Sequence, residues 1–261
     1  MYATIAPRLR ALLRNTVLAT AALVTALPAV PAAAGPLSWL ASETKGSGTL
    51  ARQTREPGPF SAVALSMGGA VELRLGNTES VTVEVDDNIL PLVETVVENG
   101  TLRIRPTQRN ARLDTRKLKV VVQARNIERI TVAGSGNVNA QQLRAPQLDL
   151  EVGGSGNITL QDVTSEAISV AIGGSGNLKA GGTVERLRIS IGGSGRVHTE
   201  QLAARTASVS IGGSGTAVVW AKQTLGVSVA GSGDVSYYGD PKLNTSITGS
   251  GRVHRLGVAP Q

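Results

Sequence analysis

The chain contains no cysteine in 261 residues. That excludes a disulfide framework, a thiolate-bound metal and a lipid-modified cysteine anchor. Histidine is nearly absent too, with His198 and His254 the only two. Aromatics are scarce: two Trp, three Tyr and one Phe. A large interior must therefore be aliphatic, and any aromatic cluster on the surface stands out. No apolar run reaches the roughly twenty residues a membrane-crossing helix needs. No Gly-x-x-x-x-Gly-Lys-Ser/Thr occurs either, so the glycine-rich turns described below carry no nucleotide-binding signature.

What is abundant is glycine, 31 residues, much of it in one tripeptide. Gly-Ser-Gly recurs around Ser135, Ser155, Ser175, Ser194, Ser214, Ser232 and Ser250, at intervals of 20, 20, 19, 20, 18 and 18 residues. A fixed period of this length is the mark of a stacked repeat architecture. Apolar residues alternate before the tripeptide, as in Leu148, Leu150 and Val152, and resume after it, as in Asn157-Ile158. Period-two alternation predicts strands with one buried face. Each unit thus reads as strand, glycine turn, strand and a looser return, with glycine required for positive φ or close backbone approach. Seven units stacked at the usual strand spacing form a prism about 34 Å long.

Two vertical aliphatic ladders are predicted. One runs through Val132, Val152, Ile172, Ile191, Ile211, Val229 and Ile247, the other through Val138, Ile158, Leu178, Val197, Ala217, Val235 and Val253. A third stack, Asn137, Asn157 and Asn177, reads as a ladder of amides hydrogen-bonded along the axis.

Residues 1–34 have the pattern of a secretory signal peptide. Arg8, Arg10 and Arg14 precede the apolar run from Val17 to Leu27, and Ala32-Ala33-Ala34 supplies the small residues for cleavage before Gly35. Removing this segment leaves 23 basic and 19 acidic side chains, a net charge of +4. That is too little to argue for nucleic acid. The chain is expected to be exported, periplasmic or extracellular after cleavage near Ala34, with no membrane span in the mature chain. Residues 35–59, rich in Pro, Gly, Ser and Thr, read as a flexible lead-in with an out-of-register Gly46-Ser47-Gly48 turn. Residues 60–125 form an irregular N-terminal β part, 126–256 the regular repeat and 257–261 a tail. Within the irregular part, Met67-Gly68-Gly69 takes the place of Gly-Ser-Gly as a degenerate first level. Asn99-Gly100 between two short apolar runs predicts a hairpin.

The sequence also resembles a known family. The export signal, Phe60-Ser61-Ala62-Val63, Asp86-Asp87-Asn88-Ile89-Leu90, Asn99-Gly100-Thr101-Leu102-Arg103-Ile104 and the serial Gly-Ser-Gly-Asn-Val levels are similar to the GIN-domain family, the head domains of auto-transporter adhesins. The resemblance covers about residues 46 to 255. It implies an all-β, right-handed parallel β-helix-like solenoid with Gly-Ser-Gly turns every 18–20 residues, in a bacterial envelope protein.

Candidate chemistry is thin. Gly153-Gly154-Ser155-Gly156-Asn157-Ile158 begins like a calcium-binding nonapeptide, but that pattern needs Asp where Ile158 stands and a period of nine. His198 and His254 share a register three levels apart, roughly 14 Å, too far to share a metal. No cofactor, metal site or catalytic residue is expected. The acids do not stack when counted at fixed distances from the serines, so paired carboxylates for glycoside chemistry are not apparent.

Two surface features remain. Trp220, Tyr238 and Leu256 fall on consecutive levels at an outward position, either as a contact stripe for sugar faces or proteins or as an end covered by a loop or tail. Arg103 to Lys119 holds seven basic residues against one acid, Asp114. Arg109, Arg112, Arg116 and Lys117 form either a second contact set for anionic polymers or a solvated loop with edge-protecting charges. The expected function is non-enzymatic: a rigid β surface for adhesion or for binding a polysaccharide or surface protein, with self-association through terminal strands open. The alternative is a polysaccharide lyase or hydrolase on a β-helix.

Overall fold

The computed structural model describes residues 43–108, 111–114 and 117–260. The proposed signal peptide lies outside them, as do Arg109 and Arg116. The strands in chain order are β1 (Glu43–Lys45), β2 (Leu50–Arg55), β3 (Ala62–Leu65), β4 (Ala70–Leu75), β5 (Ser80–Asp86), β6 (Val93–Glu98), β7 (Thr101–Pro106), β8 (Arg112–Asp114) and β9 (Lys119–Ala124). They continue as β10 (Arg129–Val132), β11 (Asn137–Val152), β12 (Asn157–Ile172), β13 (Asn177–Ile191), β14 (Arg196–Ile211), β15 (Thr216–Gly231), β16 (Asp234–Tyr238), β17 (Lys242–Gly249) and β18 (Arg252–Gly257). Strands β10 to β18 pair only in parallel with their neighbours along the axis, forming the β-solenoid that the repeat predicts.

Each long strand bends through three faces. In β11 the buried residues alternate through Val138 and Ala140, again at Leu143 and Ala145, and again at Leu148, Leu150 and Val152. Two pairs of adjacent exposed residues, Gln141-Gln142 and Pro146-Gln147, break the alternation. A strand keeps one face inward only by such a slip wherever the chain turns a corner. The return segment is therefore two further β faces, not the looser connection expected. Gly-Ser-Gly makes the third corner.

Both predicted ladders exist. Val132, Val152, Ile172, Ile191, Ile211 and Val229 are buried, as are Val138, Ile158, Leu178, Val197, Ala217 and Val235. The last members differ: Ile247 is 42% exposed and Val253 is only partly covered. The amide stack forms as well, with Asn157 Nδ2 donating to Asn137 Oδ1 (2.6 Å) and Asn177 Nδ2 to Asn157 Oδ1 (2.8 Å).

Met67-Gly68-Gly69 has the expected register, since Ala70 pairs with Asn137 and Val71 with Val138. It is not the first level, however. Strands β3 and β4 lie between β10 and β11 on one side and β7 and β9 on the other. The chain enters one level in, builds the terminal level, then continues on the far side. Antiparallel strands close that end: β5 on β9, β2 on β5 and β6 on β7. The β6–β7 hairpin turns through Asn99 (φ 51°) and Gly100 (φ 71°), the conformation that favours Asn-Gly.

The flexible lead-in expected for residues 35–59 is corrected over its described part, because β2 is a paired strand. Its anchor is polar. Gly48 N–H donates to Asp86 Oδ1 (2.9 Å), Ser47 N–H to Asn88 Oδ1 (2.9 Å), and Asn88 Nδ2 to the Lys45 carbonyl (2.8 Å). Gly46-Ser47-Gly48 is thus gripped by the Asp86-Asp87-Asn88 turn. Composition alone hides such a strand, since hydrogen bonds to a distant turn replace an apolar stripe.

Close approach is what demands glycine in most Gly-Ser-Gly corners. Positive φ occurs there only at Gly231 and Gly249. A Cβ on Gly174 would collide with the Gly154 carbonyl oxygen, and one on Gly176 with that of Gly156. Those carbonyls accept hydrogen bonds from the level above, as in Ser175 N–H to Gly154 O and Asn177 N–H to Gly156 O, both 3.1 Å. Gly173, one residue earlier, faces open space. Gly174→Ala should therefore lower unfolding free energy by about 1–3 kcal/mol, as overpacking does. Gly173→Ala should be neutral or slightly stabilising; urea titration of both variants compares them directly. Asn157→Ala, which breaks two rungs of an accessible amide ladder, should cost about 0.5–1.5 kcal/mol in the same assay.

Candidate functional site

The corner between the second and third faces is concave. Successive levels pair Arg144 with Thr164, Thr164 with Thr183, Thr183 with Ala203, and Ala203 with Trp220. Beside this ladder, inward-pointing Ala145, Ser165 and Val184 form a second row. The Ser165 hydroxyl is satisfied locally, within reach of the Pro146 carbonyl (3.2 Å) and the Ala167 carbonyl (3.0 Å). Along the corner itself stand Pro146, Glu166, Glu185 and Arg205. Together these rows line an open trough of about 850 Å3 that ends at Lys222 and Gln223. From the level of Arg144 to that of Lys222 it crosses four strand steps, about 19 Å.

The charges in the trough are mixed and partly paired. Arg205 Nη1 lies 3.2 Å from Glu185 Oε2, and its Nε donates to Gln223 Oε1 (3.0 Å). Lys222 Nζ sits 5.3 Å from the Trp220 ring centroid. Both partners of the Glu185–Arg205 pair are more than half exposed, so the pair orients the side chains more than it stabilises the fold. Arg144 and Glu166 form no ion pair among the described residues.

Trp220 and Tyr238 are paired on adjacent levels, and both are half-buried. Trp220 also pairs with Ala203, a lining residue of the trough, so it lies next to the trough's end without lining it. Leu256 does not complete the stripe. A register shift after Tyr237 sets Gly257 opposite Tyr238 and leaves Leu256 displaced and 45% exposed. Glu200, which equal counting puts level with Trp220, falls in a similar shift between Thr199 and Ala203.

The basic stretch disperses. Arg103 pairs with Glu98 (2.8 Å), Arg105 with Glu94 (2.7 Å) and Glu98 (2.8 Å), and Lys119 with Glu72 (3.5 Å). The hydrogen bonds that Arg105 donates to Glu94 and Glu98 hold its guanidinium pKa above its usual value. The single-acid balance counted along the chain thus overlooks acids on neighbouring strands. Arg112 lies on β8, which pairs with β1 apart from the main sheet. Lys117 is exposed just ahead of β9, six strand steps from β15 and hence about 29 Å from Trp220. Among the described residues, Lys117 and Trp220 do not belong to one site.

Glu166 and Glu185 are the pair that fixed counting missed. They occupy the same corner position on adjacent levels, since Ser165 pairs with Val184 and Ala167 with Arg186. A bulge between Leu160 and Val163 shifts the register by one, so the two acids sit at different distances from their serines. The 19-residue interval that contains Glu185 was the one available signal. His198 and His254 do share a register, through Val218 and Ser236, three levels apart. No cluster of three or more metal-binding side chains occurs among the described residues.

The family model described as "Putative auto-transporter adhesin, head GIN domain" matches residues 59–241. No curated protein matches the chain. Among solved structures, the fold is similar to a "putative adhesin" from Bacteroides fragilis, with TM-score 0.76, 22% identity, and 82% of this chain and 100% of that one covered. A "putative lipid binding protein" from Parabacteroides distasonis gives TM-score 0.69 at 22% identity over 82% and 100%. A "putative adhesin" from Parabacteroides merdae gives 0.64 at 20% identity over 82% and 99%. Identities this low speak to fold alone. With the family match spanning well over half the chain and the ladder register following its repeats, this protein belongs to the family of auto-transporter adhesin head GIN domains.

Proposed function

We propose that this is an exported, non-enzymatic envelope protein that binds a linear polysaccharide along the axial trough. The observation that carries the reading is the trough itself: about 850 Å3, open along its length, and lined by polar side chains from each of five successive strands. A ligand with its own short repeat is complementary to such a ruler, whereas a compact metabolite engages only one level. Thr164 and Thr183 offer hydroxyls, Arg144, Glu166, Glu185 and Arg205 offer charged donors and acceptors, and Trp220 offers a ring face against which a sugar can lie. Arg112 and Lys117, with Arg109 and Arg116, remain a separate candidate for anionic polymers. A protein partner using the same surface is the neighbouring possibility within this reading.

Glu166 and Glu185 favour a second reading, a glycoside hydrolase. Their backbones lie one strand spacing apart, about 4.8 Å, close to the shorter carboxyl separation used in that chemistry. Against it, Arg205 already engages Glu185, so one of the two carboxylates is occupied by an ion pair.

The test is binding of the exported chain to immobilised neutral glucans, N-acetylated amino-sugar chains and uronate-bearing chains. Phospholipid vesicles provide the comparison for the lipid-binding description of the Parabacteroides distasonis structure. The expected result is saturable binding that strengthens from monosaccharide to oligomer, weakens about tenfold (about 1.4 kcal/mol) in Trp220→Ala, and leaves the glycan intact. Binding to vesicles alone, or to no probe, overturns the reading. Release of reducing ends that is lost in Glu166→Gln establishes the hydrolase instead.

A further inference from the structure

The two ends of the solenoid are built differently. At the N-terminal end, antiparallel β5 and β6 cover the edges of β9 and β7. That end also carries charged residues, including Arg52, Glu84, Glu94, Glu98 and Arg105. At the C-terminal end, β17 pairs with β15 on one side only, and among the described residues nothing pairs its other edge. All eight residues of β17 are exposed.

The composition of this edge is unusual. After Lys242 it reads Leu-Asn-Thr-Ser-Ile-Thr-Gly, without charge or proline. Exposed edge strands are ordinarily protected by lysine, proline, a bulge or a covering segment. None of these lies between Leu243 and Gly249. Leu243, Thr245 and Ile247 pair with buried Leu225, Val227 and Val229, so they continue the interior ladder outward into solvent. Leu243 is 41% exposed and Ile247 42%.

We infer that β17 is a dimerisation edge, and that its occupant is β17 of a second copy of this chain, paired antiparallel about a two-fold axis at Thr245. The register follows from the sequence. Centring the axis on Thr245 sets Leu243 opposite Ile247 of the partner subunit, Thr245 opposite itself, and Asn244 opposite Ser246 of the partner subunit. Every inward residue then meets an inward residue, and both aliphatic residues meet an aliphatic one. Moving the axis by one position sets Leu243 opposite Thr245 or Gly249 and Ile247 opposite Pro241 or Thr245, so neither aliphatic residue meets another. The pairing is isologous and closed, as two-fold interfaces are. An antiparallel cap on a parallel solenoid is also what the opposite end already uses.

The absence of cysteine permits a direct test on the otherwise unaltered exported chain. Directly opposed residues in an antiparallel pair have Cα atoms about 4.5–5.5 Å apart, within disulfide range. Thr248 is displaced from its own symmetry mate by about 20 Å along the strand. Under mild oxidation, Thr245→Cys should form a disulfide dimer at least tenfold faster than Thr248→Cys. In sedimentation equilibrium the unmodified chain should dimerise, and Thr245→Lys, which opposes two like charges on the axis, should weaken association at least tenfold while keeping the β circular dichroism spectrum. A chain that stays monomeric up to high micromolar concentration overturns the inference. So does equal cross-linking of Thr245→Cys and Thr248→Cys.

Discussion

The closest constraint in the molecule is the approach of one Gly-Ser-Gly corner to the next. Gly154, Gly174 and Gly193 each rest against the backbone carbonyl of the level before, leaving no room for a Cβ. Because the corners touch through backbone, adjacent levels keep one spacing and one orientation, and the rest of the level follows. Aliphatic residues three before and three after each serine fall into vertical contact, and Asn137, Asn157 and Asn177 come within hydrogen-bonding reach. An interior of Val, Ile, Leu and Ala suffices because each side chain needs to fill only the height of one level.

Regularity also limits where function can sit. The first and third faces stack without slip through the central levels, while the register shifts gather around the second face, at Leu160/Val163, Lys179/Gly181 and Thr199/Ala203. The trough runs beside them. Where spacing is strictly fixed by backbone contact, every level presents the same shape. One further shift, between Ala204 and Thr206, falls at the trough itself and sets Lys222 and Gln223 together opposite Arg205. The trough combines groups from five strands, β11 to β15, with no two lining levels alike.

The ends of the stack show the opposite side of the same physics. A solenoid buries each level against two neighbours, so a terminal level is always half-satisfied. One end solves this within the chain by reversing strand direction, with β5 and β6 laid over the terminal level and β2 held by the Asp86-Asp87-Asn88 turn. The other end leaves Leu243, Ile247 and Leu256 in solvent.

By itself the sequence determined the all-β repeat, the two aliphatic ladders, the amide stack, the Asn99-Gly100 hairpin and the family. Each of these depends on local alternation or on a spacing held constant by the glycine corners, so counting residues is equivalent to measuring position. Only the tertiary structure decided the rest. The interior place of β3 and β4, the ordering of β2, the neutralisation of Arg103 and Arg105 and the displacement of Leu256 all depend on partners far along the chain or on a one-residue slip. Glu166 and Glu185 make the point most simply. They share a corner because a bulge absorbs one residue between them, and a bulge is set by how the chain packs around its corner, which no count from the nearest serine contains.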